Sequence, residues 1–266
     1  MDKKLLIVIF VLLVTIAGIT FVGLNLDNEP TNILTEESTL YSQVTETTLP
    51  LSGNNFQSDD EGFENEGIIL PLKEFTTADI SYLDNALFIG DSRTVGLQNY
   101  SDITNADFFS SVGMNVFKIK NETVTVDGVS TDLASLLSNK QYGKVYIMLG
   151  INELGYNRQS AFSKYKELID TILLYQPSAV IFIQANIHVG AERSAKDSII
   201  NNKAINEFNS MIASLENKSN IFYIDVNSVY DDENGNLNSE ATSDGIHLYA
   251  SQFNLWKEFI LTKAVI

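Results

Sequence analysis

The chain has 266 residues, of which 34 are acidic and 17 are basic, giving a formal net charge of −17 at pH 7. Binding to nucleic acid through its phosphates requires clustered Lys and Arg, so this balance argues against a nucleic-acid partner. The sequence contains no cysteine, which excludes disulfides, thiolate metal sites and cysteine nucleophiles. Its only histidines are His188 and His247, so any histidine chemistry must use one of these two.

The first 24 residues have the pattern of a membrane anchor. Lys3 and Lys4 precede an uncharged, mainly apolar run from Leu5 to Leu24, and about 20 such residues cross a bilayer as a helix. The lysines predict that this end stays in the cytoplasm and that the rest of the chain is extracytoplasmic. A cleaved signal peptide is the alternative, but its apolar run is normally shorter. We therefore expect a single-pass anchor over residues 1–24, or a secreted protein if this segment is cleaved.

The next segment has the composition of a linker. Residues 25–67 are rich in Thr, Ser, Asn and Glu, with ten acidic residues and no Lys or Arg. Such a segment cannot bury enough apolar surface to offset the entropy lost on ordering it. We expect a disordered acidic linker here, followed by one globular domain over residues 68–266.

The globular part alternates buried runs with amphipathic stretches. The sequence predicts strands at residues 86–90, 106–112, 144–149, 179–185 and 220–226. It predicts helices at residues 94–100, 131–140, 160–175, 197–217 and 248–265, a helical turn near residue 80, and a hairpin over residues 117–126 with a turn at Asp127-Gly128. This alternation implies an α/β fold with a parallel sheet covered on both faces. The leading architecture is a doubly wound, flavodoxin-like, three-layer α/β/α sandwich.

The residues able to do chemistry follow the predicted strands. Gly90-Asp91-Ser92 ends the first strand, and Ser92 lies where a helix N-terminus favours developing negative charge. Serine is also a good helix N-cap, so this motif alone does not establish a nucleophile. Segments after parallel strands meet at one sheet edge, so other loops are expected beside Ser92. Those loops hold Gly113, Asn152, Asp244 and His247.

These residue types match the requirements of acyl transfer. The reaction needs a nucleophile, a general base, a group that orients the base, and hydrogen-bond donors for the oxyanion. Ser92 can be the nucleophile and His247 the base. Asp244, three residues before His247, can accept the other imidazole N–H. The expected oxyanion donors are the backbone N–H groups of Ser92 and Gly113 and the side-chain amide of Asn152.

The four blocks together resemble the SGNH (GDSL-type) hydrolases. They are Gly-Asp-Ser after the first strand, a lone glycine after the second, Gly-x-Asn after the third, and Asp-x-x-His near the C-terminus. The resemblance spans residues 84–264 and makes Ser92, Gly113, Asn152 and His247 the four namesake residues, with Asp244 completing a triad. It implies a five-stranded sheet of order 2-1-3-4-5 and ester or thioester hydrolysis without a metal. We expect no other cofactor.

Four more residues are candidates for substrate contact. The third block carries Glu153 where many members of this family have Asp, which either keeps a supporting role or signals a different binding site. Arg93 could pair with an anionic substrate or with an acidic neighbour such as Glu153. His188 is expected at the rim of the site, as a substrate contact or a solvated loop residue, and Asn115 could line the site.

The sequence therefore predicts a membrane-anchored, extracytoplasmic serine esterase. Its expected substrate is an acylated small molecule or polysaccharide, with small O-acetyl-type esters on cell-wall or surface glycan preferred because of the predicted location. A lipase, a thioesterase or an acyltransferase would use the same site. A glycan-binding or assembly module on a retired hydrolase scaffold is the non-enzymatic alternative, and it would have lost an element of the triad.

Overall fold

The structure, a computed structural model, describes residues 72–266. The anchor expected over residues 1–24 and the linker expected over residues 25–67 lie outside the described residues. Within residues 72–266, no helix is both long enough and apolar enough to cross a membrane.

A five-stranded parallel sheet forms the centre of the domain. The strands are β1 (Ala86–Gly90), β2 (Asp107–Ser110), β3 (Thr123–Val126), β4 (Val129–Asp132), β5 (Lys144–Met148), β6 (Val180–Gln184) and β7 (Ile221–Ile224). β3 and β4 form a separate antiparallel hairpin, and the sheet order is β2-β1-β5-β6-β7. Counting only the strands of the sheet, this is the expected order 2-1-3-4-5, and the predicted fold is confirmed.

Helices cover both faces of the sheet. They are α1 (Ser92–Tyr100), α2 (Leu133–Asn139), α3 (Arg158–Tyr175), α4 (Ala191–Lys196), α5 (Asn202–Ala213), α6 (Asn227–Tyr230) and α7 (Phe253–Leu261). Short 3-10 turns cover Ile80–Leu83, Ile119–Asn121, Ile151–Glu153, Ser239–Ala241 and Ala250–Gln252.

The strands at the centre of the sheet are mainly apolar because both of their faces are buried. Leu87 and Ile89 of β1 face the layer that contains α2, α3 and α5, whereas Phe88 faces the layer that contains α1 and α7. On the second face, the ring of Phe88 stacks on that of Tyr146 with centroids 4.7 Å apart, and Tyr146 stacks on Phe182 at 4.6 Å. These rings cross three adjacent strands and fix their register from one side.

The predicted hairpin is wrong in its extent. Its turn at Asp127-Gly128 is confirmed, and both residues have the positive φ angles of 51° and 78° that a two-residue hairpin turn requires. The strands are residues 123–126 and 129–132, while Ile119–Asn121 is a 3-10 turn. Helix α2 accordingly begins two residues later than predicted, because the side chain of Asp132 accepts from Ser135 N and caps it.

The helix predicted over residues 197–217 is wrong in its extent, since α5 covers only Asn202–Ala213. A separate short helix, α4, ends before Asp197, whose side chain accepts hydrogen bonds from the backbone N–H groups of Ile199 and Ile200. Asn201 then caps α5 by accepting from Ala204 N at 3.0 Å. Asp and Asn side chains that satisfy nearby backbone donors offer the chain an alternative to the helix, and here two of them interrupt it.

Candidate active site

The first helix begins at Ser92, at the carboxyl end of β1. Asp91, not Ser92, is its N-cap, since the Asp91 carboxylate accepts from Arg93 N at 3.0 Å. The capping role that would have explained a serine here is therefore taken by its neighbour. Ser92 is the first residue of the helix, so its backbone N–H has no acceptor within the helix. Its side chain is partly exposed.

The buried side chain of Arg93 holds the turn that precedes Ser92 in place. Its guanidinium forms a two-point ion pair with Asp91, at 2.9 and 2.6 Å, and donates to the Asn186 side chain at 2.9 Å. The side chains of Arg93 and Asp91 are 2% and 0% exposed. A bidentate pair of this kind fixes geometry as well as charge, so the backbone at Ser92 is anchored to β1 and to the segment after β6.

The Ser92 hydroxyl meets a histidine that lies 155 positions away in the sequence. Ser92 Oγ lies 3.1 Å from His247 Nε2. On the other side of the ring, His247 Nδ1 lies 2.7 Å from Asp244 Oδ2. With Nδ1 protonated and bonded to the carboxylate, Nε2 is free to accept the serine proton. The side chains of His247 and Asp244 are each 51% exposed, so this arrangement is open to solvent.

The Asp244 carboxylate is held by its own loop. Its Oδ1 accepts from the backbone N–H groups of Ile246 and His247, both at 2.8 Å, and from the Thr242 hydroxyl at 3.3 Å. Partial burial raises the pKa of Asp244, but hydrogen bonds from the His247 side chain and from these backbone groups outweigh it and hold the pKa well below its usual range. These hydrogen bonds therefore favour the charged form of the carboxylate that lies beside the imidazole.

Gly113 and Asn152 lie on adjacent loops. The Asn152 amide donates to the carbonyl of Met114 at 3.0 Å, joining the loop after β5 to the loop after β2. A side-chain amide has two N–H donors, so this bond leaves a second one. Gly113 has a φ of 77°, which favours glycine, and no atom lies within 4 Å of the place a Cβ would take. Gly113 is also exposed, so a ligand can reach this turn.

The buried side chain of Glu153 also holds the loop after β2 in place. Its Oε1 accepts from Val116 N at 2.8 Å, while Oε2 has no hydrogen-bond partner among the described residues. The side chain is 1% exposed. Burial raises the pKa of Glu153 to about 7, opposed by the Val116 hydrogen bond and reinforced by the nearby charge of Asp91. Asn152 and Glu153 thus fasten two successive points of the segment that follows Gly113.

The four candidate substrate contacts are buried, and for Arg93 and Glu153 this favours the supporting role that was one of the two alternatives. Arg93, Asn115, Glu153 and His188 are 2%, 4%, 1% and 8% exposed. Arg93 pairs with Asp91 and not directly with Glu153. The Asn115 side chain accepts from the backbone N–H groups of Phe117 and Lys118. Each of these side chains forms hydrogen bonds within the protein and so supports the loops around the site.

His188 lies in a hydrogen-bonded cluster that sequence reasoning missed. Its Nδ1 is 2.8 Å from Asp231 Oδ2 and its Nε2 is 2.7 Å from Asn206 Oδ1. Both ring nitrogens are therefore occupied, and the histidine is not at the rim of the site. The available signal was the alternation of Asn186 and His188 with apolar residues directly after β6, since a buried strand end with Asn and His must find internal partners.

The carboxylates and histidines of the described residues form no group of three or more that could hold a metal ion. A hydroxyl, an imidazole and a carboxylate do lie in hydrogen-bonding series, from Ser92 through His247 to Asp244. Such a series can deprotonate an alcohol, and amide donors such as that of Asn152 can stabilise an oxyanion.

Comparison with known proteins defines the family. The family described as GDSL-like lipase/acylhydrolase matches residues 88–251, and the chain belongs to it. As a member, it is an ester-hydrolysing enzyme. No curated protein matches the sequence.

Solved structures share the fold at low identity. A protein from Streptococcus pneumoniae is 20% identical with a TM-score of 0.53, and the match covers 66% of this chain and 82% of the other. A GDSL-like lipase from Bacteroides thetaiotaomicron is 15% identical with a TM-score of 0.52, over 70% of this chain and 89% of that one. A protein of the G-D-S-L family from Desulfitobacterium hafniense is 14% identical with a TM-score of 0.50, over 67% and 98%.

Proposed function

We propose that the protein is a serine esterase in which Ser92, His247 and Asp244 act as a catalytic triad. The hydrogen-bonded series from Ser92 Oγ through His247 to Asp244 carries this proposal. Ser92 Oγ attacks the ester carbonyl while His247 Nε2 takes its proton. His247 then gives this proton to the departing alcohol, leaving an acyl group on Ser92. A water molecule, deprotonated by His247 in turn, releases the acid and restores the serine.

The oxyanion formed at each attack needs donors. We assign this role to the backbone N–H groups of Ser92 and Gly113 and to the free N–H of Asn152. Ser92 N heads a helix, where the dipole also favours negative charge. The Asn152 and Glu153 contacts hold the loop that carries Gly113 in place before substrate arrives, and donors fixed in advance stabilise a developing charge most strongly.

The proposed substrate is a small acyl ester, of the O-acetyl type, on a polysaccharide outside the cytoplasm. The side chains of His247 and Asp244 are half-exposed, which supports a large substrate that binds at the surface of the protein. The apolar run from Leu5 to Leu24 and the acidic segment after it support a location at the outer face of a membrane. A domain tethered there would reach the glycan next to the membrane.

The test is hydrolysis of nitrophenyl esters by the full chain, its Ser92→Ala variant and a matched Ser178→Ala control. Ser178 is an exposed serine that precedes β6, at the opposite edge of the sheet. We expect Ser92→Ala to lower kcat by at least about 1,000-fold and the control to match wild type. Equal rates for wild type and Ser92→Ala would refute the proposal. Faster hydrolysis of long-chain than of acetyl esters would instead favour a lipase.

A further inference from the structure

An open groove lies beside the loop that carries Asp244. One wall is α4 with the residues that follow it, and the other wall is formed by residues 237–239 and 242–245. Its volume is about 930 Å³, near the upper end of the about 300–1,000 Å³ that is usual for small-molecule sites. The proposed triad uses only Asp244 from this groove, so the rest of the lining has no assigned role.

Most residues of the lining have polar or charged side chains, and together they carry no excess of positive charge. Its two cations are each paired within the same segment: Arg193 with Asp197 at 2.8 Å, and Lys196 with Glu192 at 2.5 Å. Two further carboxylates, Asp232 and Asp244, complete the charged groups of the lining. An anionic ligand would therefore meet more acidic than basic groups, and its binding would be opposed.

Apolar ligands are also a poor match, whereas hydroxyl-bearing ligands match well. The aliphatic side chains of the lining are those of Ala191 and Leu237, too few to cover a fatty acyl chain. The remaining side chains include hydroxyl groups and an amide, which can donate and accept hydrogen bonds with sugar hydroxyls. These groups belong to Ser198, Asn238, Ser239 and Ser243.

The groove and the proposed triad share one piece of backbone. Gly190 N donates to Gly245 O at 2.8 Å, which docks the Asp244 loop against the start of α4. A Cβ on Gly245 would lie 3.2 Å from Arg193 Cβ, and the φ of Gly245 is 76°, so glycine is required for this approach. Only the His247 imidazole and its two hydrogen bonds separate the groove wall at Asp244 from the Ser92 hydroxyl.

We propose that this groove binds the alcohol part of the substrate, and that this part is an uncharged oligosaccharide chain. The inference rests on the proposed esterase function and specifies its substrate class. The ester-bearing sugar lies at Ser92, and the neighbouring sugars of the same chain continue past Asp244 into the groove. Its acidic balance selects uncharged glycans over uronic-acid polymers, and its hydroxyl-rich walls select glycans over lipids.

The experiment uses substitutions that narrow the groove and leave the residues of the proposed triad unchanged. Ser198→Trp and Ser239→Trp place a bulky ring on opposite walls, at two exposed positions. Ser178→Trp is the matched control at the far edge of the sheet. The full chain and each variant are assayed with nitrophenyl acetate, with O-acetylated cellohexaose, and with O-acetylated hexagalacturonic acid as the anionic glycan.

We expect both groove variants to keep kcat/KM for nitrophenyl acetate within about twofold of wild type and to lose at least about tenfold on acetylated cellohexaose, mainly through KM. Wild type should favour cellohexaose over the anionic hexamer by at least about tenfold. The inference is overturned if the groove variants match wild type on acetylated cellohexaose, or if they lose activity on nitrophenyl acetate and acetylated cellohexaose to the same extent. It is also overturned if wild type prefers the anionic hexamer or does not hydrolyse acetylated cellohexaose.

These results are separable from a failure of the esterase proposal itself. That failure would appear as equal hydrolysis of nitrophenyl acetate by wild type and by Ser92→Ala. The groove variants could instead retain Ser92-dependent hydrolysis of nitrophenyl acetate and show unaltered kinetics on acetylated cellohexaose. That result would reject the proposed role of the groove and leave the esterase proposal standing.

Discussion

The pH dependence of stability at Glu153 tests the electrostatics of the buried residues that support the site. Its carboxyl is 1% exposed, and burial raises its pKa from 4.5 to about 7. Between these pH values the folded state binds more protons at Glu153 than the unfolded chain does, so the free energy of unfolding falls as pH rises. A shift of this size corresponds to about 3 kcal/mol of stability lost between about pH 4.5 and pH 7.

Glu153→Gln removes this titration and keeps an oxygen that can accept from Val116 N. The difference in unfolding free energy, variant minus wild type, should therefore rise by about 3 kcal/mol from pH 4.5 to pH 8. Urea unfolding of the full chain measures this, with Trp256 fluorescence as the signal. Trp256 is the single tryptophan of the sequence and is fully buried, so it reports on this domain.

Glu233→Gln is the control, since Glu233 is an exposed acid in a loop, and its difference from wild type should stay flat with pH. A difference for Glu153→Gln that changes by less than about 0.5 kcal/mol over the same range would show that Arg93 compensates the buried charge and that the pKa of Glu153 is ordinary. The measurement does not depend on the identity of the substrate.

Two further outcomes follow from the site. Asp244→Asn should lower kcat for nitrophenyl acetate by about 100- to 10,000-fold with little change in KM, because the imidazole loses its orienting charge; a loss below about threefold would remove Asp244 from the triad. Arg93→Met should lower the unfolding free energy by about 3–5 kcal/mol in urea titrations, because it leaves Asp91 charged and buried. The Arg93→Met/Asp91→Asn double variant should recover part of this loss, and no recovery would contradict the ion-pair argument.

The sheet could be predicted from the sequence because most of its strands are largely apolar runs that alternate with amphipathic helices. A run such as Leu87 to Ile89 is buried on both faces, as is usual in a parallel sheet covered by helices. The excursions between strands could not be predicted as well. Asp197 and Asn201 delay the start of α5 beyond the predicted residue 197, because a side-chain oxygen that bonds the local backbone is not visible in hydrophobic periodicity.

The main groups of the site were also readable from the sequence, while their supports were not. Ser92 and His247 stood out because strand-end loops converge and because only one other histidine exists. The burial of Glu153 and of His188 did not stand out. A polar residue in a loop looks the same in the sequence whether it faces solvent or an internal partner, and only packing distinguishes the two.

The sequence by itself determined the types of group at the carboxyl edge of the sheet: a hydroxyl, an imidazole, carboxylates and amides. The tertiary structure decided which carboxylate each cation or imidazole uses. Asp91, adjacent to Ser92, turns inward to Arg93, whereas Asp244 faces His247 and Asp231 faces His188. Hydrogen bonds act over about 3 Å, so the pairing depends on positions in space, and the fold sets these for residues far apart along the chain.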